Sequence, residues 1–529
     1  MTASEQLAQF AAGSKALPKL CREYKKERAT VHLKELVGGA LSFYAAAAVA
    51  KTGGVHIFVA EDRDAAAYLL NDFYNLLDEK QVYFFPSSYK RSAAYGAEDA
   101  QGVVQRTAAM NAVRGFTKGY LVVCTYPEAL AERVVDAATL QRDTIAVKLG
   151  DKISIAVLED ALADANFTRV DFVYEPGQYS VRGGIVDVFS YSESKPYRID
   201  FFGDEVDSIR RFNISSQLSA DKLDRVEIVP NLNAGEAPRV SFVQFAGSSA
   251  TCWFYDADYV LRRVNDLRRK VLADMEEPGQ IDRLLTSRNV LLRDMAGNSV
   301  VALRDNLPER PATAAVVFDT APQPKFNKNF EMLADDMIRN SLRGYATYIL
   351  SENKVQVERL ENIFHQIGRG QAAVRSLSVT LHEGFVDNDL KLCLYTDHQI
   401  FDRYQRYRIN GEIRRDEQMT VAELNQLRPG DYVVHIDHGV GRFDGLVKIA
   451  AGDGRMQEAI KLVYKDGDVL FVNVHSLHRI SRYKSGDGEP PKVYKLGNGA
   501  WQKLKNATKK AVKDISRELI ALYAKRKAS

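Results

Sequence analysis

Groups that usually carry chemistry are scarce in this chain. It holds four cysteines, nine histidines and two tryptophans in 529 residues. Cys21, Cys124, Cys252 and Cys393 lie far apart and mostly in apolar surroundings. That spacing offers neither a zinc site nor a disulfide framework, and predicts reduced core residues of a cytosolic protein. Long apolar runs are also missing. The longest, around Ala45–Ala50, is far short of the roughly 20 residues a membrane span needs, and the N-terminus has no signal-peptide core. A soluble, cytoplasmic protein with no membrane partner is expected. The net charge is only +3, so any affinity for nucleic acid has to come from a local basic patch.

What is present is ordinary globular material, 46% hydrophobic and 27% charged, on a chain long enough for about three to five domains. From about residue 30 to 150 strands and helices alternate. "GGVHIFVAEDRDAAAYLLNDFYNLL" reads as a buried strand ending at Ala60, an acidic helix start at Glu61 and Asp62, and an apolar stripe through Tyr68, Leu69, Phe73, Leu76 and Leu77. "QVYFFPSS" and "GYLVVCTYPEAL" repeat the plan, which predicts a parallel α/β sheet with crossover helices. Residues 151–230 read instead as β-rich, punctuated by Pro176-Gly177 and Gly183-Gly184. They are expected to form an α+β domain inserted into the first, which occupies 1–150 and closes with 231–320. A second small α/β domain is expected at 325–405, where "GYATYILSENKVQVERLENIF" gives a strand and an amphipathic helix through Val357, Leu360 and Phe364.

The most informative stretch is "LRPGDYVVHIDHGVGRFDGLVKI" at 427–449. Strand formers alternate with turn residues there, and "EAIKLVYKDGDVLFVNV" follows with Asp466-Gly467 between two β runs, a hairpin signal. A small β-barrel is expected over 415–495. His435, His438, His475 and His478 with Asp437 invite a metal reading, but strand histidines usually satisfy local hydrogen bonds, and no metal is assigned. From Trp501 the chain reads as a long helix with a basic side, seven Lys and two Arg against Asp514 and Glu518. A solvated helix face is the simpler reading of that charge, and nucleic-acid contact is the other.

Together "GDYVVHIDHGVGRFDGL", "YKDGDVLFVNVHSLHRISRY" and "KLGNGAWQKLKNATKKAVKDISRELIALYAKR" resemble the polymerase-interacting module and relay helix of the bacterial transcription-repair coupling factor family (Mfd). "GQYSVRGGIVDVF" and "PYRIDFFGDEVDSIRRF" are similar to the domain that this family shares with UvrB. The resemblance implies a multidomain α/β plus β architecture. Its parts are a UvrB-like parallel α/β domain with an inserted α+β domain, a small α/β domain of unknown role, an SH3/Tudor-like barrel and a C-terminal relay-type helix over 496–529. It implies contact with UvrA around Arg169, Arg182 and Phe189, and pairing of the RNA polymerase β subunit with a strand through Gly445, Leu446, Val447, Lys448 and Ile449, with Ile449 as side-chain anchor. It also places the ATP-driven motor, with ATP, magnesium and most DNA contact, after the relay helix, where this chain stops, so a fragment cut at a domain boundary is expected.

The residues can be checked for nucleotide chemistry. A phosphate loop needs G-x-x-x-x-G-K-[ST]. Where the resemblance places it, the chain reads "ELVGGALSFYAAAAVA": Gly38 and Gly39 are there, but Ala40, Leu41 and Ser42 replace a Lys-Ser/Thr pair. "AAGSKAL" and "AKTGG" also fail the spacing, and the acidic "DEVD" at 204–207 reads as an exposed strand end rather than a metal box. The expectation is a scaffold without catalytic, cofactor-binding or metal-binding residues; the competing reading is a diverged helicase-like ATPase.

Overall fold

The computed structural model describes residues 1–89, 98–173, 175–213, 219–233, 235–275, 277–403, 405, 407–409, 424, 427–450, 456–473, 479–483, 491, 493, 495–497 and 501. The chain forms two compact units, Met1–Ile413 and Arg414–Ser529. His475, His478 and the basic residues after Trp501 lie outside the described residues, so the relay-helix expectation does too.

In the first unit seven parallel strands form one sheet, in the order Ala314–Val317, Thr30–Lys34, Ser299–Ala302, Thr251–Phe254, Gly54–Val59, Tyr120–Thr125 and Val82–Phe84. Their continuous apolar runs suit strands covered on both faces. Gly54–Val59 delivers the chain to helix Arg63–Leu76, where Asp62 caps the first turn by accepting from Ala65 N at 2.8 Å. All four cysteines are buried and free.

Residues 145–228 leave that sheet and build another. Six strands run in the order Ser219–Lys222, Glu205–Phe212, Tyr197–Phe202, Ile185–Val188, Gln178–Arg182 and Thr168–Arg169. Their inner face, with Tyr179, Val186, Val188, Tyr197 and Ile199, packs with Leu158 and Leu162 of helix Ile155–Asp164 and with Val147, Val226 and Ile228 of a two-stranded ribbon.

A smaller mixed sheet follows, ordered Thr320–Pro322, Phe385–Asp387, Leu392–Thr396, Ala346–Leu350 and Ser376–Leu377. Helix Lys354–Gln366 buries Leu360 and Phe364 against it. This region is joined to the first sheet's helices through buried polar groups. Asp72 accepts from Ser42 Oγ at 2.6 Å and from His382 N at 2.7 Å, and Asn75 Nδ2 donates to Thr380 O at 2.9 Å. Among the described residues no helix is long and apolar enough to cross a membrane.

In the second unit five antiparallel strands run in the order Val469–Asn473, Met456–Val463, Gly439–Ala450, Tyr432–His435 and Ile480–Arg482. Val433, Phe443, Ile460, Leu462, Tyr464, Val472 and Ile480 form the core. Lys465–Gly467 makes the hairpin turn, with Asp466 at φ 64°.

Burial of Asp72 pushes its carboxyl up to about 7. Such a group binds more protons folded than unfolded, so the stability it carries is full below its ordinary range and is lost as pH rises to about 7. Nearby His382 has the opposite sense, being lowered to about 4 by its own burial. The difference between wild type and Asp72→Asn isolates the carboxyl. Thermal melts should show the variant gaining on wild type from pH 5 to about 7 and levelling off above it, and parallel profiles would contradict this assignment.

Candidate functional site

Two surfaces collect the residues selected from the sequence. The first is the outer face of the six-stranded sheet. Register aligns Ser180, Asp187, Arg198 and Arg210 in one row across four strands, and Arg182, Ile185, Asp200 and Ser208 in the next. Asp187 is nearly inaccessible and is gripped from both sides. Arg198 reaches it with two hydrogen bonds of 2.7 and 2.9 Å, and Arg182 with a third. Arg198 also stacks 4.3 Å over Phe212, and Arg182 4.7 Å over Phe172. Asp200 accepts from Ser208 at 2.6 Å and from Arg210 at 2.5 Å. These planar cations are thus held in fixed orientations, with Arg182 and Arg210 keeping 34% and 32% of their side-chain surface exposed and Arg198 only 14%.

Arg182 lies on this outer face, whereas Arg169 is in register with Tyr179 of the inner face. Both line one open concavity of about 460 Å³ with Val170, Asp171, Phe172 and Val181. Arg169 pairs with Glu159 at 2.7 Å, yet its side chain stays 60% exposed. The cavity offers cationic edges over an aromatic floor, which suits a carboxylate-bearing protein segment.

Phe189 is a correction. It is fully buried and offers no contact area. Counting in twos from Ile185 would point it outward with Asp187, but the strand ends at Val188. There the pairing becomes irregular, Gly177 N donating to Phe189 O at 2.8 Å and Phe189 N to Gln178 O at 2.9 Å, and Ser190 Oγ accepts from Val229 N at 2.9 Å. Phe189 is therefore core. Arg198 and Arg210 were missed because their place beside Arg182 follows from strand register, which composition does not give. The acidic run at 204–207 sits at a hairpin end with Asp204, Glu205 and Asp207 exposed.

The second surface is strand Gly439–Ala450. Its first part pairs with Tyr432–His435 on one side, and that pairing ends at Arg442. Phe443 still bonds the preceding turn, donating to Asp431 O at 2.8 Å and accepting from Gly430 N at 2.8 Å. Beyond it, Leu446, Val447, Lys448 and Ile449 pair only with Ile460, Ala459, Glu458 and Gln457 on the other side. From Asp444 to Ala450 this strand therefore has one open edge among the described residues. A bulge between Phe443 and Leu446, with Gly445 at φ +99°, separates the open segment from the core.

Gly445, Val447 and Ile449 are half-buried, whereas Leu446 and Lys448 are exposed. Leu446, 44% exposed, is a more open apolar side chain than the half-buried Ile449, the anchor that the resemblance implies. Val469 and Phe471, on the strand at the sheet's opposite side, are also exposed and were not selected from the sequence. Asp437 is held by Arg479, and Trp501 Nε1 donates to Ile436 O at 3.2 Å. Gly439 is at φ +78°, and a Cβ there would lie 2.7 Å from the Trp501 ring. Among the described residues no group of three or more candidate ligands could hold a metal ion.

Comparison with known proteins places both surfaces inside matched segments. The UvrB interaction domain family matches residues 145–233, and the CarD-like/TRCF RID domain family matches residues 427–484. The transcription-repair-coupling factor of Bacillus subtilis (strain 168) is 24% identical over 94% of this chain and 49% of its own length. That of Escherichia coli (strain K12) is 25% identical, with the same coverage. A Staphylococcus haemolyticus counterpart is 24% identical over 87% of this chain and 46% of its length. The chain spans about half the length of the curated relatives it matches. It is thus a relative of the bacterial transcription-repair-coupling factors, matched to their N-terminal portion, and carries a UvrB interaction domain and a CarD-like/TRCF RID domain.

Proposed function

We propose that this chain is a scaffold of transcription-coupled DNA repair, docking on stalled RNA polymerase through the second unit and recruiting UvrA through the six-stranded sheet. One observation carries the reading. A sheet with an open strand edge and a sheet with oriented arginines lie in one chain, each within a segment matched to a domain family of repair or transcription.

The edge Asp444–Ala450 suits strand addition, in which main-chain hydrogen bonds supply affinity and alternate side chains supply specificity. Its partner on this reading is the polymerase β subunit, with Leu446 and Ile449 as apolar contacts and Lys448 deterring indiscriminate pairing. On the UvrA side, Arg169 and Arg182 are the contact residues; Arg198 and Asp187 hold Arg182 in place. Phe189, being fully buried, is not a contact residue. No catalytic step is assigned to this chain. The resemblance places ATP, magnesium and most DNA contact in the part of the relatives that this chain does not span.

Capture assays with purified polymerase and UvrA test the reading. Leu446→Arg with Ile449→Arg should weaken polymerase capture about tenfold or more while UvrA capture persists. Arg169→Ala with Arg182→Ala should do the reverse. Loss of both captures in either variant, or of neither, would contradict the assignment. DNA-stimulated ATP turnover by the purified chain would favour the helicase-like alternative. Phe189→Ala serves as the structural control: urea melts should show a loss of about 3–5 kcal/mol, against within about 0.5 kcal/mol for Arg169→Ala.

A further inference from the structure

Strand Thr30–Lys34 lies inside the parallel sheet and leads through residues 35–39 into helix Ala40–Thr52. A strand, a glycine turn and a helix N-terminus in this order are where α/β sheets present a phosphate cradle. In this chain protein fills the space over that helix start. A Cβ on Gly39 would lie 2.0 Å from Glu383 O and 3.6 Å from Leu381 Cδ1. One on Gly38, at φ +58°, would lie 2.9 Å from Gly384 O and 3.5 Å from Glu383 Oε2. Two backbones touch there at a distance that side chains would forbid.

The intruding segment is held from both sides. Below it, Ser42 Oγ donates to Asp72 Oδ2 at 2.6 Å, Asp72 Oδ1 accepts from His382 N at 2.7 Å, and the Tyr68 ring stacks on His382 with centroids 3.6 Å apart. Above it, Gln399 Oε1 accepts from Gly384 N at 2.6 Å, and His398 Nε2 lies 2.8 Å from His382 O. Leu41 stands where a magnesium-binding hydroxyl would be needed, the next hydroxyl, Ser42, is engaged by a carboxyl, and a second acidic side chain, Glu383, borders the glycines. The residues present do not fit a nucleotide.

We propose that Thr380–Gly384 is an internal ligand of the degenerate phosphate cradle, and that the small α/β region bearing it plugs this site permanently and fixes itself to the first sheet. The glycines then serve the plug, and residues 325–405 acquire a role. The proposal concerns neither docking surface, so its failure is separable from failure of the capture assays.

Hydrogen exchange on the whole chain tests it, together with binding of a fluorescent ATP analogue in the presence of magnesium. Gly39 has φ −65°, a conformation open to any residue, so Gly39→Ala probes the contact and not backbone strain. It should speed exchange at the His382 and Gly384 amides about tenfold or more while Leu392–Thr396 stays protected. Tyr68→Ala, which leaves the glycine turn untouched, should do the same and decides the matter if Gly39→Ala does not fold. Wild type should bind no analogue at millimolar concentration. Unchanged exchange in the variants, or analogue binding by wild type with 380–384 still protected, would overturn the proposal.

Discussion

The backbone contact between Gly39 and Glu383 is the constraint around which the first unit is arranged. It fills a strand-to-helix turn of the kind where a parallel sheet can cradle a phosphate, and polar groups meet beside it. Asp72, Ser42 and His382 satisfy one another there. Once that site is closed, the remaining features of interest lie on surfaces.

Those surfaces use different physics. On the six-stranded sheet, arginines are braced by buried or half-buried carboxylates and aromatic faces. Exposed ion pairs contribute little stability on their own, so the bracing is better understood as orientation. The second unit offers instead a run of main-chain donors and acceptors on a strand whose second neighbour ends early. Natural edges of this kind are usually short or guarded by charge, and Lys448 in the middle of the open segment meets that description. Because one surface recognises charge and shape and the other recognises backbone, a change in one need not disturb the other.

Much of the local structure was legible in the sequence. Asp62 marked a helix start, Asp466-Gly467 marked a hairpin, and the segment Gly445–Ile449 lies on a strand with one open edge among the described residues. These signals are local. Periodicity failed where the chain departs from regular pairing. Phe189 falls one residue past its strand end, and the bulge at Gly445 breaks the alternation on which an assignment of Ile449 or Leu446 to the outer face depends. The row Asp187–Arg198–Arg210 needed register between strands. Least legible of all was the contact at the glycine turn, since Asp72 meets a partner 310 residues away in sequence. Missing Lys-Ser/Thr residues could be read directly, whereas the segment filling their place could not.

The central claim is that one chain bridges two machines. Its most direct test is retention of UvrA on immobilised RNA polymerase, measured with and without the purified chain. The account predicts that UvrA is retained only when the chain is present, and is released when either docking surface carries its substitutions. Retention without the chain, or polymerase binding by the chain that leaves UvrA in solution, would contradict it.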